Sequence, residues 1–299
     1  MTYSEIWHRI ATSYDDGEAR AIARILIEEL FGLSYADIVC GATEQLSADD
    51  TLRLDTAIRR IEQGEPLQHV LGYADFCGNR FCVNGSVLIP RPETEWLVDE
   101  GAKLMNGCIA SDDTQHKAPH SPKRILDIGT GSGCIAISLK LRLGDAYVEA
   151  WDISEEALRT AQDNADALKA EVVFRKRDAL RADNTAAPWD LIVSNPPYIC
   201  DSERSAMDDN VLLHEPHTAL FVPDDDPLRF YRAIARYALL TLNIGGNLLF
   251  ECNTRYAKAT GAMLSDMGFK EVTVSDDCFN LPRFVRGSSP SQPSPSGRA

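Results

Sequence analysis

The stretch Asp190-Leu-Ile-Val-Ser-Asn195-Pro196-Pro197-Tyr198 carries the sharpest chemical signal in the chain. An apolar strand ends and at once meets two prolines. Proline disfavours the α region in the residue before it, which pushes Asn195 and Pro196 towards extended dihedrals. Each proline also fixes its own φ and donates no hydrogen bond. The expected product is a stiff corner that presents the Asn195 side-chain oxygen and the Pro196 carbonyl as acceptors. Two acceptors held apart suit a planar –NH2 group, and Tyr198 offers a flat face for such a group to pack against. The nitrogen of an amide or aromatic amine is a poor nucleophile because its lone pair is delocalised. Holding both N–H bonds aims that nitrogen at a methyl donor. Such positioning can remove up to ~7–11 kcal/mol of barrier, and acceptors facing the developing positive charge add to it. No metal is needed.

A second stretch, Ile125-Leu-Asp-Ile-Gly129-Thr130-Gly131-Ser132-Gly133, reads as an apolar strand entering a glycine-rich turn and then a helix. Glycines there let backbone approach a ligand where a Cβ would collide. The spacing is neither the Gly-x-Gly-x-x-Gly of pyrophosphate binders nor a lysine-bearing phosphate loop. Asp152 ends the next strand, placed to accept ribose hydroxyls, and Asp178 ends the third, placed to meet an adenine edge. Taken singly, each piece also reads as a tight turn or an ordinary helix cap. Their order at the carboxyl ends of consecutive strands favours a ligand site.

The elements that must position these loops follow from periodicity. Ile22, Ile25, Leu26 and Leu30 mark a helix between Gly17 and Phe31, stopped by Gly32. A short helix fits Tyr35 to Cys40. Ser47 caps a third, with Leu54, Ile58 and Ile61 as its buried stripe. Residues 1–72 are therefore expected to form a small helical bundle, and 73–89 a hairpin linker. From Pro90 onward Pro92 suits a first helical turn, a polar loop spans Asn106 to Lys123, and strands and helices then alternate. That pattern predicts an α/β domain over 90–287 with a mostly parallel, Rossmann-like sheet covered on both faces. The Ser/Pro-rich end, 288–299, has almost nothing to bury and is expected to be disordered.

Composition bounds the setting. The 299 residues carry 30 Lys+Arg against 45 Asp+Glu, a net charge of −15. Phosphate neutralisation supplies most non-specific nucleic-acid affinity, so an acidic chain is a poor general binder of nucleic acid. No apolar run reaches the roughly 18 residues of a membrane helix, and the start lacks a secretory pattern. Eight scattered cysteines without a Cys-x-x-Cys pair suggest free thiols in the cytoplasm. His214 and His217 lack a ligand set for metal, Asp224-Asp225-Asp226 reads as a solvated turn, and Arg175-Lys176-Arg177 is the one tight basic cluster.

Together these motifs resemble the class I S-adenosylmethionine-dependent methyltransferases. More narrowly, the chain resembles the PrmC/HemK family, the bacterial peptide chain release factor glutamine N5-methyltransferases. The narrower likeness rests on Pro66-Leu67-Gln68, Val87-Leu-Ile-Pro-Arg-Pro-Glu-Thr-Glu95 and Glu215-Pro216 with Ala219-Leu220. It implies methylation of the glutamine in the Gly-Gly-Gln loop of class 1 release factors, which are the implied partners. S-adenosyl-L-methionine is the implied cofactor, held by Gly129, Thr130, Gly131, Ser132, Gly133, Asp152, Asp178, Ala179 and Asn195. Asn195, Pro196 and Tyr198 would be catalytic, with Pro197, Arg91 and Glu93 adding to the substrate pocket. The bundle would grip the release factor. The family's usual pattern has an aromatic where Ala179 stands and Ile-Gly where Cys252-Asn253 stands. Methylation of adenine N6 in nucleic acid uses the same Asn-Pro-Pro-Tyr physics and remains the alternative, disfavoured by the net charge.

Overall fold

The computed structural model describes residues 1–107, 122–182 and 188–290. Its N-terminal part packs α1 (Tyr3–Ile10), α2 (Asp16–Phe31), α3 (Tyr35–Val39), α4 (Ala48–Glu62) and α5 (Leu67–Leu71) around one apolar core that includes Ile6, Leu26, Ile27 and Ile58. The predicted helices appear with the predicted ends: Gly32 adopts the left-handed conformation after α2, and Ser47 accepts from the Asp50 N–H at the start of α4. Periodicity passes over α1 and α5. Each spans too few turns to show a repeat, although Thr2 and Glu5 cap α1 reciprocally.

A hairpin of β1 (Tyr73–Phe76) and β2 (Asn79–Cys82) follows, turning through Cys77 and Gly78, both at positive φ. Asn164, from the α/β part, clasps β2, accepting from the Cys82 N–H at 2.6 Å and donating to the Cys82 carbonyl at 3.0 Å. Pro92 opens a 3-10 turn, Pro92–Thr94, which runs into α6 (Glu95–Gly107). Of the polar loop predicted from Asn106, residues 108–121 lie outside the described residues.

Beyond it come β3 (Arg124–Ile128), α7 (Cys134–Leu143), β4 (Tyr147–Asp152), α8 (Glu155–Leu168), β5 (Val172–Lys176) and β6 (Trp189–Ser194). The short elements β7 (Ile199–Cys200), α9 (Asp209–His214), α10 (His217–Leu220) and β8 (Phe221–Val222) then lead to α11 (Arg229–Thr241), β9 (Leu242–Glu251), α12 (Ala257–Asp266), β10 (Lys270–Asp276) and β11 (Pro282–Ser288). The seven-stranded sheet runs β10-β11-β9-β6-β3-β4-β5, with every strand in one direction except β11, which is antiparallel to both its neighbours, β9 and β10. Alternate strand residues feed opposite cores. Ile125, Leu191 and Leu249 face α6 and α7, whereas Leu126, Ile192 and Leu248 face α11 and α12. This is the expected Rossmann-like α/β sheet with a helical bundle ahead of it.

Ser288 and Ser289, which composition assigns to a disordered end, belong to the sheet. Gly287 and Ser288 pair with Leu248 and Asn247, and the Ser289 N–H donates to the Gly246 carbonyl at 2.8 Å. Open ladder positions on β9 recruit these polar residues through backbone, which composition does not report. Residues 291–299 lie outside the described residues.

Candidate active site

Strand order reverses between β3 and β6, and the two chemical loops leave the sheet there, side by side at its carboxyl end. The Ser194 hydroxyl donates to the Ile128 carbonyl at 2.6 Å, fastening the two strand ends together just before the loops diverge. The Gly129 and Thr130 N–H groups both donate to the Trp151 carbonyl, and Gly129 and Gly131 take positive φ. Below the turn Asp127 is fully buried and accepts from the Thr130 hydroxyl at 2.6 Å. Burial pushes its carboxyl up to about 7. Asp152 accepts from the Gly131 and Ser154 N–H groups at 2.9 Å each, and burial raises its carboxyl as well. Asp178 accepts from the Leu180 N–H at 2.8 Å.

A cavity of about 370 Å³ opens over these loops. Its wall includes Gly129, Thr130, Gly131, Ser132, Asp152, Asp178, Ala179, Asn195, Pro196, Pro197 and Arg91. Three residues singled out from sequence are placed elsewhere. Gly133 faces α8, where an added Cβ would lie 2.9 Å from Ile137 Cδ1 and 3.1 Å from Ala161 Cβ, so its bareness serves helix packing. Glu93 lies outside the wall. Tyr198 turns its ring towards the core below α11, with its hydroxyl 3.3 Å from Glu251 Oε1.

The sequence motifs include Thr94 and Glu215 but not the bonds that each makes, and Glu251, Ile153 and Phe230 were not singled out for the site. Thr94 is 3% exposed and lines the cavity; its hydroxyl donates to Glu251 Oε2 at 2.7 Å. The Asn195 Nδ2 donates to that same Thr94 oxygen at 3.4 Å, which leaves Asn195 Oδ1 without a bond inside this network. Glu251 is buried, and burial raises its carboxyl. Across the cavity Glu215, also buried, accepts from the Arg91 guanidinium at 2.5 Å and from the Ile89 N–H at 3.3 Å, stitching the linker to the loop before α10. Burial holds the Glu215 carboxyl up despite Arg91. Ile153, 56% exposed beside Asp152, and Phe230 supply apolar wall. The partners of Thr94 and Glu251 carry no local signature.

The donor set fits S-adenosylmethionine. The ends of β5, β4, β3 and β6 lie in that order across the sheet, a span of about 14 Å at three strand spacings. They offer in turn Asp178 beside apolar Ala179 and Leu180, the Asp152 carboxylate, bare glycine backbone, and Asn195. That sequence suits a flat base, a ribose diol, an aminoacyl tail and a reacting group.

Comparison with known proteins agrees. The Methyltransferase small domain model matches residues 95–220 and the PrmC N-terminal domain model matches 8–72. A release factor glutamine methyltransferase of Bacteroides thetaiotaomicron is 44% identical over 91% of this chain and 93% of its own length. One of Flavobacterium psychrophilum is 36% identical over 93% and 94%. Among solved structures, the hMettl16 catalytic domain in complex with the MAT2A 3'UTR hairpin 6 superposes with a TM-score of 0.50 at 17% identity, covering 82% of this chain and 83% of that one. That likeness shows the fold alone. With relatives this similar along nearly all of its length, the chain belongs to the release factor glutamine methyltransferase family.

Proposed function

We propose that this protein transfers a methyl group from S-adenosylmethionine to the side-chain amide nitrogen of the glutamine in the Gly-Gly-Gln loop of bacterial class 1 release factors. What carries the reading is that the Asn195-Pro196-Pro197 corner and the glycine turn share one cavity wall. When bound, the cofactor supplies an electrophilic methyl carbon. Asn195 Oδ1 and the Pro196 carbonyl accept the two N–H bonds of the substrate amide, fixing its plane and stabilising positive charge as it grows on nitrogen. The amide gains the methyl and gives up one proton. Asp152 and Asp178 hold the cofactor's polar edges, while Gly129 to Ser132 lie against its tail. Arg91, Pro197 and Pro216 line the mouth through which the loop enters.

The helical bundle grips the release factor away from the chemistry, in the cytoplasm. The seven described cysteines are free, and no described helix is long and apolar enough to cross a membrane. The adenine alternative finds little support in the basic cluster. Arg175 is paired with Glu149 and Lys176 with Glu155, and the Arg177 guanidinium lies 4.8 Å from the Trp151 ring centroid.

Radiolabelled methyl transfer to a purified release factor tests the proposal. Labelling should vanish when the loop glutamine becomes alanine. Labelling that survives that change, or that appears on oligonucleotides and not on the release factor, would overturn it.

A further inference from the structure

Proton bookkeeping around Thr94 leads to a residue outside the catalytic corner. A hydroxyl has one proton. Thr94 spends that proton on Glu251 Oε2 at 2.7 Å, so towards Asn195 its oxygen can only accept. It meets the Asn195 Nδ2 at 3.4 Å, which fixes the amide with nitrogen towards Thr94 and Oδ1 turned away from it. The opposite orientation would present an –NH2 to the substrate's own –NH2, donor against donor. Glu251 is itself held: it is 1% exposed, at the end of β9, and its second oxygen accepts from the Tyr198 hydroxyl at 3.3 Å.

We propose that Glu251 is a positioning residue that sets the polarity of the Asn195 amide through Thr94. This rests on the methyl-transfer reading above and deepens it. Without an acceptor at position 251 the Thr94 proton is free to turn towards Asn195. The hydroxyl can then donate to Oδ1, and the flipped amide no longer accepts from the glutamine nitrogen. The three residues lie 101 and 157 positions apart in sequence, so only the tertiary fold makes the chain of bonds. Its last link, Tyr198 to Glu251, gives the motif's tyrosine a part in the same network.

The test compares Glu251→Met, which keeps bulk and removes the acceptor, with Glu251→Gln, which can still turn an oxygen to Thr94. The full chain is assayed with radiolabelled S-adenosylmethionine and intact release factor. Cofactor Kd, by calorimetry, and melting temperature are measured in parallel. Glu251→Met should lower kcat by about 10–100-fold, the usual span for a group that orients a site ligand from behind, while the cofactor Kd and the KM for release factor move little. Glu251→Gln should recover most of that loss. Thr94→Val tests the same path from the other end, so its loss should match that of Glu251→Met and the double variant should be no worse than the poorer single one. Full kcat in either Glu251→Met or Thr94→Val would overturn the proposal, as would losses that multiply in the double variant. Failure of the parent protein to label release factor would instead overturn the functional reading itself.

Discussion

Arg9 in the helical bundle bonds Asp55 and Glu62 and stays 30% exposed, whereas Thr94 in the cavity wall is 3% exposed and bonds a carboxylate 157 residues away. The contrast holds more widely. The bundle keeps most of its polar side chains on caps and rim ion pairs, such as Ser47 with Asp50 and Arg60 with Glu65, over an apolar core beside which Thr43 and His69 are buried. Around the cavity polar groups are buried and bonded across long loops: Ser194 to Ile128, Asn164 to Cys82 and Ser132, Glu215 to Arg91 and Ile89. A rim ion pair faces water in either state and contributes up to about 1 kcal/mol. A buried polar group left without its partner costs more, so it has one permitted arrangement. The bundle is thus stable by pattern, and the site is specific by satisfaction of bonds.

The largest effect that would break this contrast concerns Asn195. Asn195→Ala should lower kcat by about 10²–10³-fold, as for loss of one preorganised polar group facing developing charge, with little change in melting temperature. A small loss of turnover would place Asn195 among the merely structural residues. Next, Arg91→Met should destabilise the protein by about 1–3 kcal/mol in urea titration, below the range for a fully buried pair because Arg91 is 37% exposed. A loss no larger than that of a rim pair would erase the distinction between the two regions.

Asp127 sharpens the comparison through pH. Its carboxyl sits at about 7 in the fold against an ordinary 3.8. The folded state therefore keeps a proton that the unfolded chain gives up, and the residue's contribution to stability falls as pH rises through that window, then levels off. Asp127→Asn does not titrate there, so its melting temperature should gain on the parent between about pH 5 and about pH 8. A constant difference across that range would refute the shift. Smallest of all, Ser47→Ala removes an exposed cap in the bundle. It should cost about 1 kcal/mol of stability and leave kcat per folded molecule unchanged.

The same division governs what could be read in advance. The apolar stripe of α4, the left-handed Gly32 and the alternation of strands from Arg124 onward follow rules that act within a few residues. Gly133 and Tyr198 belong to legible motifs, yet one packs helices and the other turns to Glu251, because a motif fixes residue types and not the direction in which each side chain faces. Helices α1 and α5 were too short to announce themselves by periodicity.

By itself the sequence determined the longer helices and the main strands, the proline-locked corner, the glycine turn and the family's motif set, since backbone dihedrals and hydrophobic period are local properties. Only the tertiary structure decided that Thr94, Asn195 and Glu251 meet, that Glu215 is buried beside Arg91, and that Ser289 joins the sheet. The physical reason is that a hydrogen bond needs its partner within about 3 Å. Which groups come that close is settled by the packing of strands and helices far apart along the chain.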